Sequence, residues 1–461
     1  MKLIVVSNRL PITVTKDGTD FKYKKTSGGL VTGIESLSKH VNFIWLGNIS
    51  GKGLSESDKN QISKDCWDKF RSVPVFINPE LNDRCYNGFC NAILWPIIHS
   101  FPDDVAFKYP EYKAYQEYNK IFTDKILEIA ENDDIIWVHD YHLMLVPRML
   151  REVNCSLKIM YFLHTAFTEP SNLKPLVCKD DLLKGICGSD VISFHLPDYA
   201  INFSEALKEA GIKTEAKIKA IPIGIDPEMF RNCLKEEETK KIMEMYRTRF
   251  KDKKIILGVD RTDYIKGMPQ KMMGFKRFLE RNPTLSSQVV LLQIAIPSRL
   301  DVVEYSAYVE TTNEIVSGTN GSIGSIASTP IHFLFNSVNF KELCALYAIS
   351  ECILITSVMD GMNLVALEYV ACQNLNKGVV ILSKFAGALS TLQGSISFNP
   401  NNTEEVAEKI EEALRLDPVE RSERHEKNKR NIDVFTSVRW AEDNLEQVYK
   451  GWRDQIQVDK K

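Results

Sequence analysis

The sequence predicts an α/β protein built from two doubly wound, Rossmann-like domains. Three observations carry that reading. Short apolar, β-branched runs alternate with longer amphipathic segments along almost the whole chain. The alternation breaks once, at Pro222-Ile223-Gly224-Ile225-Asp226, and a highly charged stretch over 236–254 precedes a second series. The length of 461 residues suits two large domains or three small ones.

Taken in order, the strand-like runs of the first series include Leu3–Val6, Ile135–Val138, Ile159–Leu163, Val191–Phe194 and Ile218–Ile221. Those of the second include Ile255–Val259, Val289–Ile296, Ile331–Phe335, Cys352–Thr356 and Val379–Leu382. Helical periodicity lies between them at Tyr109–Ala130, Tyr199–Ala210, Gln270–Arg281, Lys341–Ala348 and Glu404–Leu416. The break divides the chain into a first domain over 1–225 and a second over 226–437. The closing segment, about 438–461, places Trp440, Leu445, Val448, Tyr449, Trp452 and Ile456 on one apolar stripe, and is expected to pack back on the first domain. The Gly- and Ser-rich stretch Ser317–Ser328 spaces its glycines G-x-x-G-x-x-G and precedes a strand, so it is read as a loop and not as a dinucleotide fingerprint.

Composition removes several classes of function. Forty-four per cent of residues are hydrophobic, enough to build sizeable cores. Fifty-eight basic against 61 acidic residues leave a net charge of -3, without the electrostatic footprint of a nucleic-acid binder. The N-terminal apolar run is a strand's length, shorter than a signal-peptide core, and no run approaches the roughly 20 apolar residues of a membrane span. Ten scattered cysteines form neither a C-x-x-C pair nor a disulfide framework. The expectation is a reduced, cytoplasmic, soluble protein with no nucleic-acid or membrane partner.

Ligands of doubly wound domains collect beyond the carboxyl ends of the strands, so the loops there are the candidates. One holds Arg9, with the Gly28-Gly29 turn after it. Another holds Asp140, a third His164, a fourth Arg261 and Lys266, and a fifth Asp360-Gly361-Met362-Asn363-Leu364-Val365 with Glu368. Arg261 and Lys266, five residues apart before a helix, suit a diphosphate, the guanidinium as a planar fork and the ammonium as a compact charge; they suit a solvated surface equally. Glu368, one turn into a helix opened by Gly361-Met362-Asn363, can accept from ribose hydroxyls or stand exposed. Arg9 and Arg299 each suit a phosphate monoester or a surface. Tyr86 and Trp95 can stack on a sugar or fill a core. Asp140 and His164 follow apolar strands, where a buried polar group is either catalytic or a hydrogen-bonded structural pair. No D-x-D, H-E-x-x-H or Cys/His ligand cluster occurs, so neither a metal nor another cofactor is expected. G-x-S-x-G and P-loop signatures are also missing.

Read together, Val6-Ser7-Asn8-Arg9-Leu10-Pro11, Trp137-Val138-His139-Asp140-Tyr141-His142-Leu143, Asp263-Tyr264-Ile265-Lys266-Gly267 and Asp360-Gly361-Met362-Asn363-Leu364-Val365 resemble glycosyltransferase family 20 over nearly the whole chain. The resemblance implies the GT-B arrangement of two Rossmann-like domains and retaining transfer of glucose from UDP-glucose to glucose 6-phosphate, giving trehalose 6-phosphate and UDP. By matching position it implies that Arg9, Tyr86, Trp95, Asp140 and Arg299 hold glucose 6-phosphate, the two arginines at its phosphate. It implies a donor site of Gly28, Gly29, His164, Arg261, Lys266, Val338, Asp360, Met362, Asn363, Leu364, Val365 and Glu368. In that site Arg261, Lys266 and the 364 and 365 amides face the diphosphate, Glu368 the ribose, the Val338 backbone the uracil, and His164 and Asp360 the glucose. Asp140, His164, Arg261, Lys266 and Asp360 are the implied catalytic set.

Two strings depart from the family pattern. Trp45-Leu46-Gly47-Asn48 stands in place of W-x-G-W, and His164-Thr165-Ala166-Phe167-Thr168-Glu169 in place of H-T-P-F-P-S, which is expected to loosen the loop beside His164. The chain has no room for a fused phosphatase, so a separate phosphatase is expected, and self-association is left open. Two rival readings stay open at this point: a non-catalytic sugar-phosphate sensor of the same fold, and a related transferase using another nucleotide donor.

Overall fold

The computed structural model describes residues 1–450 apart from 19, 27–30, 32, 35–40, 51, 52, 104, 300–302 and 327. The chain forms two compact units, one running to Ile223 and resuming at Ser437, the other spanning Gly224–Thr436.

The first unit is organised by β1 (Leu3–Arg9), β2 (Ile12–Asp17), β3 (Asp20–Lys25), β4 (Phe43–Ser50), β5 (Ser72–Ile77), β6 (Ile135–His139), β7 (Lys158–Phe162), β8 (Val191–Phe194) and β9 (Lys217–Ala220). Seven of these make a parallel sheet in the order β5-β4-β1-β6-β7-β8-β9, while β2 and β3 form a separate antiparallel hairpin. The central strands β6 and β8 are buried at every position and mostly apolar, because both faces are covered. Strands β4 and β5 have no counterpart among the runs read from sequence. Gly47 and Asn48 interrupt the apolar character of β4, and Gly47 is required there: a Cβ would lie 2.7 Å from the Leu10 nitrogen and 2.8 Å from the Arg9 carbonyl carbon.

The second unit carries β10 (Lys254–Arg261), β11 (Val289–Ile296), β12 (Ile331–Leu334), β13 (Cys352–Ile355), β14 (Val379–Ser383) and β15 (Ile396–Phe398). They form a parallel sheet in the order β12-β11-β10-β13-β14-β15. Its core joins Ile256, Leu291 and Leu354 of the strands to Phe275, Phe278 and Leu279 of the Met268–Arg281 helix. In both sheets the strand order reverses beside the first strand of the unit, between β1 and β6 and between β10 and β13. That reversal is the topological switch point at which ligands of such sheets bind.

The expected loop over Ser317–Ser328 is corrected in its first half, because a helix runs from Val303 to Ile323. Its glycines at 318 and 321 face open space, whereas Thr312, Val316 and Thr319 are buried and Asn320 bonds both the nitrogen and the oxygen of Ile331. Tertiary anchoring overrides the low helix propensity of glycine.

The Ser437–Val448 helix belongs to the first unit. Trp440, fully buried, packs its ring 4.9 Å from Trp137 and 5.0 Å from Phe162, the latter edge-on. Trp440→Ala should lower the unfolding free energy of this unit by about 3–5 kcal/mol, read by circular dichroism in urea. A loss below about 1 kcal/mol would show that the helix is not part of the cooperative core.

Candidate active site

In the first unit the switch point brings together the ends of β1 and β6. Arg9, the last residue of β1, lays its guanidinium over the Tyr86 ring at 4.5 Å. Tyr86 in turn stacks nearly parallel on His142, with centroids 5.6 Å apart. Tyr86 and its neighbours lie on a π-helical segment, Arg84–Leu94, a widened turn of a kind that recurs at functional sites. Trp95 follows that segment, is buried, and packs on Tyr141 at 5.3 Å. A cation on an aromatic face keeps its outward donors available while its position is fixed.

Asp140 directly follows β6 with φ 74° and ψ 170°, a region that side chains other than glycine rarely enter. Such backbone costs about 1–3 kcal/mol and survives only where its surroundings impose it. Here the Asp140 nitrogen donates to the Phe162 carbonyl at 2.8 Å, and the carboxylate accepts from the His164 nitrogen at 3.2 Å. The carboxylate is thereby turned towards the end of β7, where His164 begins the next loop.

His139 Nδ1 and His164 Nε2 lie 3.0 Å apart, so one ring donates and the other accepts. Burial holds the His139 imidazole down at about 3. His164 is driven well below the ordinary histidine range, first by burial and then by the neighbouring rings of His139 and His195. Both are therefore neutral at physiological pH. His139 and His142 appear in the sequence string but were given no task; their position beside Asp140 is the only signal that could have nominated them.

The loop 165–169, expected to be loosened by its departure from the family pattern, is pinned instead. Thr165, Ala166, Phe167 and Thr168 are buried, Asn202 donates to the Phe167 carbonyl at 3.0 Å, and Thr168 Oγ1 lies 2.8 Å from Ser100 Oγ and accepts from Asn172 at 2.7 Å. Asn48 is also buried, its amide donating to Asn82 at 2.8 Å. Gly28 and Gly29 lie outside the described residues.

In the second unit the switch point joins the loop after β10 to the loop after β13. Gly267 has φ 64°, and a Cβ there would lie 2.1 Å from the Thr356 carbonyl oxygen. Thr356 Oγ1 donates to that glycine's carbonyl at 2.8 Å, and the Val358 nitrogen donates to Ile265 at 2.8 Å. This seam carries Lys266 onto Asp360, with Nζ 2.7 Å from Oδ2. Ser357 Oγ and Asn363 Nδ2 donate to the same carboxylate oxygen, at 3.2 and 3.0 Å. Asn363 also caps the Leu364–Cys372 helix by accepting from the Ala366 nitrogen at 3.1 Å, so Leu364 and Val365 form the first turn, with Met362 buried just before it. That helix end favours an anion.

Arg261 ends β10 with 44% of its side chain exposed, 3.7 Å from Asp263. Arg299 stands after β11 with φ 52°, its guanidinium 3.3 Å from Asp263 and donating to Tyr305 Oη at 2.6 Å. Glu368, half-buried, accepts from Tyr347 Oη at 2.9 Å; burial raises its carboxyl above the ordinary range, partly offset by that hydrogen bond. Val338 lies just before Asn339, the cap of the Phe340–Ile349 helix. Asp263 and Tyr347 were not nominated from sequence. Among the described residues no group of three or more His, Cys, Asp and Glu side chains is placed to hold a metal ion.

The geometry is thus a cationic, anion-receptive crevice in one unit and an Arg-aromatic-carboxylate crevice in the other. The family model of glycosyltransferase family 20 matches residues 1–450. The chain belongs to glycosyltransferase family 20. Among members of this family, the chain is 54% identical over 99% of its length, and 100% of the relative's, to an alpha,alpha-trehalose-phosphate synthase (UDP-forming) of Encephalitozoon cuniculi. It is 41% identical over 97% of its length, and 94% of the relative's, to the 56 kDa subunit of the Saccharomyces cerevisiae synthase. A solved E. coli structure bound with UDP-2-fluoro glucose superposes with a TM-score of 0.87 at 29% identity, covering 97% of this chain and 99% of that one. The family match and this likeness establish the GT-B pair of Rossmann-like domains.

The neutral histidines make a pH prediction. A folded-state pKa held below the unfolded value means that the unfolded chain binds more protons, so each buried histidine makes stability fall as pH drops from about 6.5 towards the folded value. His139→Gln should flatten the dependence of unfolding free energy on pH between about 4 and 6 by up to roughly 1.4 kcal/mol per pH unit. Equal slopes in the two proteins would mean that the ring is not held neutral.

Proposed function

We propose that this glycosyltransferase transfers glucose from UDP-glucose to glucose 6-phosphate with retention of configuration, releasing UDP and α,α-trehalose 6-phosphate. The observation that carries this reading is the cation cradle at the β10/β13 switch point, in a chain that matches UDP-forming synthases from end to end. Arg261, Lys266 and the amides of Leu364 and Val365 receive the diphosphate, and Glu368 the ribose hydroxyls. The Val338 backbone meets the uracil, while Asp360 and His164 take the glucose hydroxyls, with Met362 and Asn363 shaping the turn. Arg9 and Arg299 take the acceptor phosphate, and Tyr86, Trp95 and Asp140 the acceptor sugar.

In the reaction the bond between the anomeric carbon and the β-phosphate oxygen breaks, its electron pair leaving with UDP. The acceptor hydroxyl oxygen bonds to the same face of that carbon and gives its proton to the departing phosphate. Arg261 and Lys266 stabilise the charge that grows on the phosphate. The neutrality of His164 supports this role, since an imidazolium would oppose the positive charge developing on the sugar ring.

Metal independence, a cytoplasmic location and consumption of the product by a separate phosphatase are parts of the same proposal. Among the described residues no helix is long and apolar enough to cross a membrane. The S. cerevisiae relative is named as a subunit, which makes self-association or a partner worth measuring by light scattering.

The deciding assay is UDP release from UDP-glucose in EDTA, with and without glucose 6-phosphate, with the sugar product identified. Acceptor-dependent release of UDP with trehalose 6-phosphate is expected. Arg261→Ala and Lys266→Ala should each cut turnover by about 100- to 1000-fold without unfolding the protein. Binding of both ligands without any turnover would favour the sugar-phosphate sensor, and turnover only with another nucleotide would move the donor assignment.

A further inference from the structure

We infer that Asp263 is the shared positioning residue of the two substrate-binding arginines, linking the donor site to the acceptor site through one buried carboxylate. The inference rests on the proposed function, which places Arg261 at the diphosphate of the donor and Arg299 at the phosphate of the acceptor.

The geometry divides the work between the two carboxylate oxygens. Oδ2 lies 3.3 Å from Arg299 Nη1 and 3.7 Å from Arg261 Nη2. Oδ1 accepts from the Ile265 nitrogen at 3.3 Å and caps the short turn Tyr264–Lys266, while the Asp263 carbonyl accepts from the Lys266 nitrogen at 2.9 Å. One residue therefore orients both guanidinium groups and closes the turn that delivers the cradle's lysine. Asp263 is fully buried, whereas the side-chain exposure of Arg299 is 6% and that of Arg261 is 44%. Nearly desolvated charge pairs interact strongly, so the carboxylate and Arg299 hold one another in place, leaving Arg261 tethered but open.

Sharing has a consequence for binding. Two cations on one anion leave a net positive pair, which is what a phosphate needs. If either arginine is lost, the carboxylate is compensated only by the other and draws it away from its own phosphate. The two substrates are then coupled energetically, and the coupling is reciprocal. Tyr305, donated to by Arg299 and packed against Tyr264 with centroids 5.4 Å apart, ties the acceptor arginine to the donor turn by a second route.

The test uses the full chain and reads each substrate separately. Asp263→Asn keeps the size and the capping oxygen but removes the charge. It should raise the KM for UDP-glucose and the KM for glucose 6-phosphate together, each by about tenfold. Asp263→Glu should recover part of both. A lowered melting temperature with both KM values unchanged, or a rise in only one of them, would overturn the shared role. If the Asp263 variants fail to fold, Arg299→Gln answers the same question with Asp263 intact. By titration with UDP alone, the Kd of Arg299→Gln should rise about threefold or more, although Arg299 is assigned to the other substrate; an unchanged Kd would overturn the coupling. Wild-type protein that neither binds UDP nor releases it from UDP-glucose would overturn the functional reading itself, an outcome distinct from wild-type binding with uncoupled variants.

Discussion

A parallel sheet covered on both faces admits charge along its strands only where a buried partner neutralises it, and this constraint places everything else in the molecule. The backbone donors and acceptors of the central strands are consumed by neighbours, and their side chains meet helices on either side. Polar groups that stay open to a ligand can begin only where a strand ends. The end of β1 leaves Arg9 exposed, the end of β6 turns through the strained Asp140, and the end of β10 leaves Arg261 open, while His164 follows the end of β7. Reversal of strand order then separates the flanking helices beside the first strand of each unit, so these ends border a crevice.

Within the second unit the same constraint sets how cations are held. A phosphate site needs positive charge in fixed positions, yet lysine and arginine side chains lose conformational freedom when held. The protein meets this by giving each cation a buried acid. Lys271 is fully buried on Asp260, which also accepts from Gln293 at 3.0 Å, and this pair clamps β10 to the Met268–Arg281 helix. Lys266, 12% exposed, lies on Asp360, and Arg261, 44% exposed, leans towards Asp263. The gradient of exposure separates tasks. Lys271 has no face left for a ligand and serves the fold, whereas Arg261 keeps its donors towards solvent.

The fold was legible in the sequence wherever a strand was an unbroken apolar run, as at Ile135–Val138 or Cys352–Thr356. It was not legible at β4, whose Gly47 and Asn48 answer to the backbone of Arg9 and Leu10 and to Asn82, contacts far apart in the chain. The helix over Val303–Ile323 was hidden in a similar way, since its glycines deny it local propensity and its stability comes from anchoring on β12. The candidate site residues were legible only as polar types after strands. Their partners were not: nothing local in the sequence says that Tyr347 will donate to Glu368, or that Tyr86 will lie between Arg9 and His142. Periodicity reports which face a residue occupies, and pairing across elements is a property of the assembled sheet.

The two strings that depart from the pattern suggested by the resemblance are each held by contacts within this chain. A proline-rich loop is stiff because its φ angles are fixed. The loop after His164 lacks those prolines, yet Asn202, Ser100 and Asn172 hold it by side-chain contacts. Asn48 stands where the resemblance suggests an aromatic, and its buried amide nitrogen donates to Asn82 at 2.8 Å, with Tyr118 Oη 3.4 Å away. That same tyrosine donates to Asn8 at 2.7 Å, one residue before Arg9. Rigidity here comes from hydrogen bonds that converge on the loops carrying Arg9 and His164. Those loops can therefore keep their geometry while the residues packed behind them change, and the composition of the supporting layer is a weaker guide to the chemistry than the strand ends it supports.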